Sequence, residues 1–180
     1  MKIDTNSESI ENLFVDNSAT HSWYVTRTKS RCEKKLNEAL LNSNIHSYLP
    51  LFSKENSNNG LVVKRELPLF SGYMFVYVDY ESRMYVEDNR LVASLYIVNH
   101  TQLFLEELKN IELTLRNANA ITPITGLLVG QKVRVCRGPL AGVVGEIIKF
   151  KKGYKLILKA TFIGQGIETE VNADSIELID

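Results

Sequence analysis

Apolar residues alternate along some stretches of this chain and recur every three or four residues along others, and the change of period marks out its elements. From Ser22, Trp23 and Val25 alternate with Tyr24, Thr26 and Thr28, which predicts a strand. Over Lys29 to Asn42, Cys32, Leu36, Ala39 and Leu40 recur at helical spacing, while Arg31, Glu33, Lys34, Lys35 and Glu38 take the other face. Ser30 is the expected N-cap of that helix, with Glu33 completing a capping box. Ile45 to Phe52 reads as extended around Pro50, Ser53 to Gly60 as a polar hairpin loop, and Leu61 to Leu67 as its returning strand. The turn Ser71-Gly72 leads into a strand over Tyr73 to Val78. Leu91 to Val98 predicts another strand, and Asn99 to Asn117 a helix with Leu103, Phe104, Leu108, Ile111 and Leu115 on its buried side. This order predicts an α+β sandwich over residues 22–117, with helices packed on a mostly antiparallel sheet.

Residues 118–126 carry Pro123 and Gly126 and no amphipathic pattern, so they read as a linker spanning at most about 30 Å. Beyond it, residues 127–180 form short β-branched runs: Gln131 to Cys136, Val143 to Lys149, Tyr154 to Ala160, Ile167 to Asn172 and Ile176 to Ile179. Turns fall at Gly138-Pro139, Lys152-Gly153 and Gly164 to Gly166. Short strands with glycine turns predict a small β-barrel of five strands.

Composition adds constraints. The 180 residues suffice for one large domain or two small ones, with 44% hydrophobic and 23% charged residues. No apolar run approaches the roughly 18 residues of a membrane helix. Residues 1–21 hold Lys2 against Asp4, Glu8, Glu11 and Asp16, which predicts a disordered acidic tail rather than a signal peptide. Cys32 and Cys136 make no disulfide framework, in keeping with a reducing cytoplasm. The 21 basic and 21 acidic side chains cancel, so the chain lacks the basic footprint of a protein that holds duplex nucleic acid by itself.

Catalytic chemistry finds no constellation. His21, His46 and His100 lie far apart and outside any nucleophile or metal motif, so neither an enzyme nor a metal or other cofactor is expected. Gly138, Gly142 and Gly145 are followed by no Gly-Lys-Ser/Thr and are flanked by strands, which argues against a phosphate loop. They suit positions of positive φ or close backbone approach. The strand Tyr73 to Val78 carries large apolar groups on both faces, with Met74, Val76 and Val78 opposite Tyr73, Phe75 and Tyr77. Helices cover one face; the other is expected to leave an exposed aromatic patch, a mark of a partner surface.

Leu69-Phe70-Ser71-Gly72-Tyr73 and its apolar strand, followed about sixty residues later by Val133-Arg134-Val135 and Gly138-Pro139-Leu140-Ala141-Gly142 with Gly145, resemble the two motifs of the NusG family of transcription factors. The first is similar to the motif of its N-terminal NGN domain, with Ser71 where proline is usual; the second is similar to the KOW motif. The resemblance covers residues 22–180 and implies an NGN sandwich followed by an SH3-like KOW barrel. It implies that Phe70, Tyr73 and Phe75 bind the clamp helices of the largest RNA polymerase subunit. It also implies that a basic edge with Arg27, Arg31 and Lys34 touches the non-template DNA strand, although the residues by themselves favour a solvated helix face. The KOW domain would recruit a small-subunit ribosomal protein or termination factor Rho. Phe162-Ile163-Gly164-Gln165 stands where a general factor usually has Phe-Gly-Arg, and the Leu-rich segment Arg90 to Asn119 looks more like operon-specific paralogues of the UpxY and RfaH type. The expectation is a monomeric, cytoplasmic antitermination and elongation factor without membrane partners. The alternatives are a general NusG and, in another class, a ribosome-associated RNA-binding KOW protein. RfaH-type relatives also raise the possibility of a helical C-terminal domain; the β-branched residues and Gly145 and Gly153 predict strands instead.

Overall fold

The computed structural model describes residues 19–58, 61–118, 121–125, 130–150 and 153–179, so most of the expected acidic tail lies outside the described residues. Contacts divide the chain into two compact units, Asp16–Thr101 and a second that begins at Gln102.

In the first unit the elements run β1 (Ser22–Thr28), α1 (Glu33–Asn42), β2 (His46–Tyr48), β3 (Leu51–Asn58), β4 (Leu61–Pro68), β5 (Tyr73–Val78), α2 (Tyr80–Glu87) and β6 (Val92–Ile97). Four strands form a sheet of order β2-β5-β1-β6, all antiparallel, and β3 and β4 pair as a separate two-stranded sheet. The alternation read from Tyr73 to Val78 is the observed strand, with Met74, Val76 and Val78 turned toward the helices. Leu36 and Leu40 of α1, Ile45 and Val86 of α2 complete that core. Leu36 and Leu40 are fully buried one turn apart, and truncating either to alanine would cost about 2–5 kcal/mol.

Three local readings are corrected. α1 starts at Glu33 with Cys32 at the N-cap and no side-chain cap, so Ser30 and Glu33 form no capping box. Arg31 instead takes a positive φ of 58° just before the helix. The polar stretch Ser53 to Gly60, expected as a loop, continues as strand to Asn58, because the hairpin satisfies its own backbone groups and needs no apolar face. α2 was not predicted: only Val86 is buried, too narrow a stripe to show as a helical period. Its N-cap Asp79 accepts a 2.8 Å bond from the Ser82 amide, which holds the Asp79 carboxyl below the usual range.

The second unit contains α3 (Thr101–Asn117), β7 (Thr122–Thr125), β8 (Gln131–Val135), β9 (Val144–Phe150), β10 (Gly153–Ala160), β11 (Gln165–Val171) and β12 (Ile176–Leu178). Phe104, Leu108 and Ile111 of α3 are buried as expected, whereas Leu103 is exposed. The five expected strands are present, and β7 joins them as a sixth from within the stretch read as a linker. The sheet order is β12-β8-β9-β10-β11-β7, a β-rich C-terminal region in which no pairing among the described residues joins the two edges. Among the described residues, no helix is long and apolar enough to cross a membrane.

α3 contacts a strand and the Thr161–Ile163 turn of its own unit. The Phe104 and Phe162 rings meet edge to face at 4.6 Å. Asn110 Oδ1 accepts from the Val144 amide at 2.9 Å, and the Glu107 carboxylate accepts from the Thr161 amide at 2.8 Å and from its hydroxyl. Burial pushes the Glu107 carboxyl above its ordinary value against these bonds and the attraction of Lys159.

Candidate functional site

The turn ahead of β5 is held from two sides. Gly72 sits at φ +84°, a conformation that glycine adopts without the strain a Cβ brings. Its carbonyl accepts from the Thr28 amide of β1 at 2.9 Å. Its amide donates to Glu33 Oε1 of α1 at 2.6 Å. Tyr73 N closes the turn on Phe70 O at 3.0 Å. Glu33 is 96% removed from solvent yet satisfied, because its carboxylate meets a backbone donor rather than an apolar wall. Its polarity in the sequence suggested a cap; only the fold brings Gly72, 39 positions away, within its reach.

The expected exposed aromatic patch is corrected. Phe70 and Phe75 are fully buried, their rings edge to face at 6.4 Å, and Phe75 stacks on Tyr48 at 6.3 Å. A ring with neighbours on both sides leaves nothing for a partner to grip. Tyr73 is half-buried and is the member of this trio that faces outward in part. Further along the same face, Trp23 packs on Tyr77 at 5.3 Å and His46 meets the Trp23 ring edge at 5.6 Å. His21 lies 5.2 Å from Tyr77, so the fold gathers two histidines that the sequence holds 25 positions apart.

Of the three basic residues, Arg27 is exposed and is the direct cross-strand partner of Tyr73 between β1 and β5. Directly opposed residues of an antiparallel pair share a face with Cβ atoms about 5 Å apart. Exposed Arg27 and half-buried Tyr73 therefore stand side by side on that face. Arg31 is exposed in the loop before α1. Lys34 is exposed too, and its Nζ donates to the Glu66 carbonyl of β4 at 2.6 Å, which ties α1 to the hairpin.

In the second unit, the glycines of the second motif have the structural roles expected of them. Gly138 and Gly142 lie at φ +85° and +91° around exposed Pro139. The Gly142 amide donates back to Val135 O at 2.8 Å. A Cβ on Gly145 would stand 2.6 Å from the Ile157 carbonyl oxygen. Val133 and Val135 are buried, while Arg134 reaches Glu177 at 3.5 Å in an exposed pair of little energetic weight. Among the described residues, no group of three or more His, Cys, Asp or Glu side chains is placed to hold a metal ion.

The sequence model of the family described as transcription termination factor NusG matches residues 21–126, more than half of the chain. No curated protein matches the chain. Among solved structures, NusG of Thermotoga maritima, in a structure concerned with its domain interaction, is 18% identical with a TM-score of 0.48, over 89% of this chain and 98% of that one. The MjSpt4:Spt5 complex in conformation B is 15% identical with a TM-score of 0.28, over 88% and 97%. The family match spans the Trp23 strand, the clamped Gly72 turn and the Tyr73 strand, and by it this chain belongs to the NusG family of transcription factors.

Proposed function

We propose that this chain is an antitermination and elongation factor that binds RNA polymerase through the face centred on Tyr73. The observation that carries this reading is the hydrogen-bonded Gly72 turn, which sets half-buried Tyr73 beside exposed Arg27. A half-buried tyrosine fixed by its backbone and flanked by an arginine has the character of a binding hot spot. Phe70 and Phe75 support the surface from beneath it. Arg27, with Arg31 and Lys34 on neighbouring elements, contributes a modest electrostatic contact to the non-template strand. Binding that favours one state of the polymerase over another is all that suppression of pausing requires.

The β-rich region is the recruiting module. Its last strand, β12, returns to pair with β8 in the order β12-β8-β9-β10-β11-β7, which supports the reading of a small KOW barrel. A small-subunit ribosomal protein or Rho is its proposed partner. The departures at Ser71 and at Phe162-Ile163-Gly164-Gln165 favour an operon-specific factor over a general one.

Tyr73→Ala should weaken binding to purified RNA polymerase by about 2 kcal/mol, roughly 30-fold, while melting like the wild type. Arg27→Ala should add a smaller loss that fades at high salt. A folded Tyr73→Ala protein that binds polymerase and suppresses pausing as the wild type does would overturn the proposal.

A further inference from the structure

β7 lies in the segment that joins α3 to β8, and it is held differently from its neighbours in the sheet. It pairs with β11 at four positions: Thr122 with Glu168, Pro123 with Ile167, Ile124 with Gly166 and Thr125 with Gln165. On its other side β11 pairs with β10 at seven positions, and Leu156, Ile157, Leu158 and Ala160 of β10 are buried. Thr122 and Pro123 are exposed. The first half of β7 therefore gains little from burial and is held by its backbone.

The backbone pattern follows from the proline. Hydrogen-bonded and non-hydrogen-bonded pairs alternate along antiparallel strands. Pro123 has no N–H, so its pair with Ile167 is of the second kind, and Thr122–Glu168 and Ile124–Gly166 carry the bonds. Pro123 then turns its nitrogen away from the sheet, where it prevents a further strand from adding to β7. Gly166 fixes what can lie opposite. A Cβ on it would stand 2.4 Å from the Leu158 carbonyl oxygen, so position 166 admits no side chain, and a strand across from it meets none. Ile124 is the residue at that register.

We propose that β7 is a displaceable cover, and that a protein partner of this β-rich region docks on the β11 edge with an extended strand of its own, replacing β7. The inference rests on the reading of this region as the recruiting module. The docking segment is uncharged, with a bulky apolar or β-branched residue opposite Gly166, because Glu168 is already engaged by Lys155. Segments with few buried contacts open apart from the core they lie on. α3 ends at Asn117 and β8 begins at Gln131, so displacement leaves residues 118–130 alone to join them, at most about 45 Å when extended.

Amide hydrogen exchange of the full-length protein, read by NMR, tests the cover without a partner. The Gly166 and Glu168 amides, bonded outward to β7, should exchange faster than that of Ile167, bonded inward to β10. Ile124→Pro removes the donor opposite Gly166 and should lower protection of Gly166 and Glu168 by about tenfold or more, leaving Ile167 unchanged. A synthetic peptide of residues 118–127 at about 1 mM should shift the Gly166 and Glu168 resonances of Ile124→Pro but not of the wild type, where the tethered copy wins. Thr125→Cys with Gln165→Cys, in a Cys32→Ser and Cys136→Ser background, ties β7 down on oxidation. Those positions form a non-hydrogen-bonded pair, with Cα atoms about 4.5 Å apart and within disulfide reach. Purified ribosomal small subunits or purified Rho should bind the reduced form about tenfold or more tightly than the oxidised form. Unchanged Gly166 protection in Ile124→Pro, a peptide that shifts neither protein, or equal binding of the oxidised and reduced forms would each overturn the inference. Binding of neither form, with exchange and peptide as expected, would remove the recruiting reading and leave β7 as the cover of a strand-accepting edge.

Discussion

Glu33→Ala removes the carboxylate that accepts from the Gly72 amide at 2.6 Å and leaves that donor, half-buried, without its partner. A hydrogen bond to a charged group contributes about 1.5–3 kcal/mol. Two effects offset part of this. The 4% exposure of Glu33 means that its charge is held out of water at a cost that alanine does not incur. Water can also reach a half-buried amide once the side chain is gone. The net loss expected is about 1–2 kcal/mol. If the 16–101 unit melts by itself, that corresponds to a fall of about 4–16 °C in melting temperature. Glu33→Gln keeps a neutral acceptor of similar reach and should lose less than half as much. Circular dichroism melts of the three proteins measure the stability, and polymerase binding measures whether a loosened turn also disperses Tyr73. A Glu33→Ala protein melting within about 1 °C of the wild type would refute the claim that this bond fixes the turn.

The second unit offers two further tests. Gly145→Ala places a methyl group 2.6 Å from the Ile157 carbonyl oxygen and 2.7 Å from Leu158 Cδ2, and the backbone atom cannot step aside. The denaturant midpoint should fall by the equivalent of about 1–3 kcal/mol, and an unchanged midpoint would mean that β9 and β10 lie further apart than described. Glu107 tests pH linkage: burial raises its carboxyl pKa in the folded state, so the folded protein binds its proton more tightly than the unfolded chain does. Its contribution is then fully present below the ordinary carboxylate range of about 4.3 and is lost as pH rises through the raised value. Glu107→Gln, neutral throughout, should melt close to the wild type near that acidic end and above it at neutral pH; a constant difference across the titration would exclude the linkage.

Local period and turn chemistry determined much of this protein from sequence alone. The alternation of Tyr73 to Val78, the helical recurrence of Phe104, Leu108 and Ile111, and the demand for glycine at 138 and 142 all act over a few residues. The Asp79-to-Ser82 spacing was a legible cap signal for α2, obscured because that helix buries Val86 alone. Tertiary structure decided what depends on distant neighbours. Period two assigns Phe75 and Tyr73 to one face, but the covering by Tyr48 and Phe70 is what buries the first and spares the second. Likewise, Glu33 is one more acidic residue on a helix until the fold sets the Gly72 amide against it. The polar hairpin could not be told from a loop, because its strands are held by backbone pairing, which leaves no mark in side-chain polarity. Side-chain pattern records which surfaces an element can bury; which partner meets each surface is set by chain topology, and that is where Arg27 comes to stand beside Tyr73.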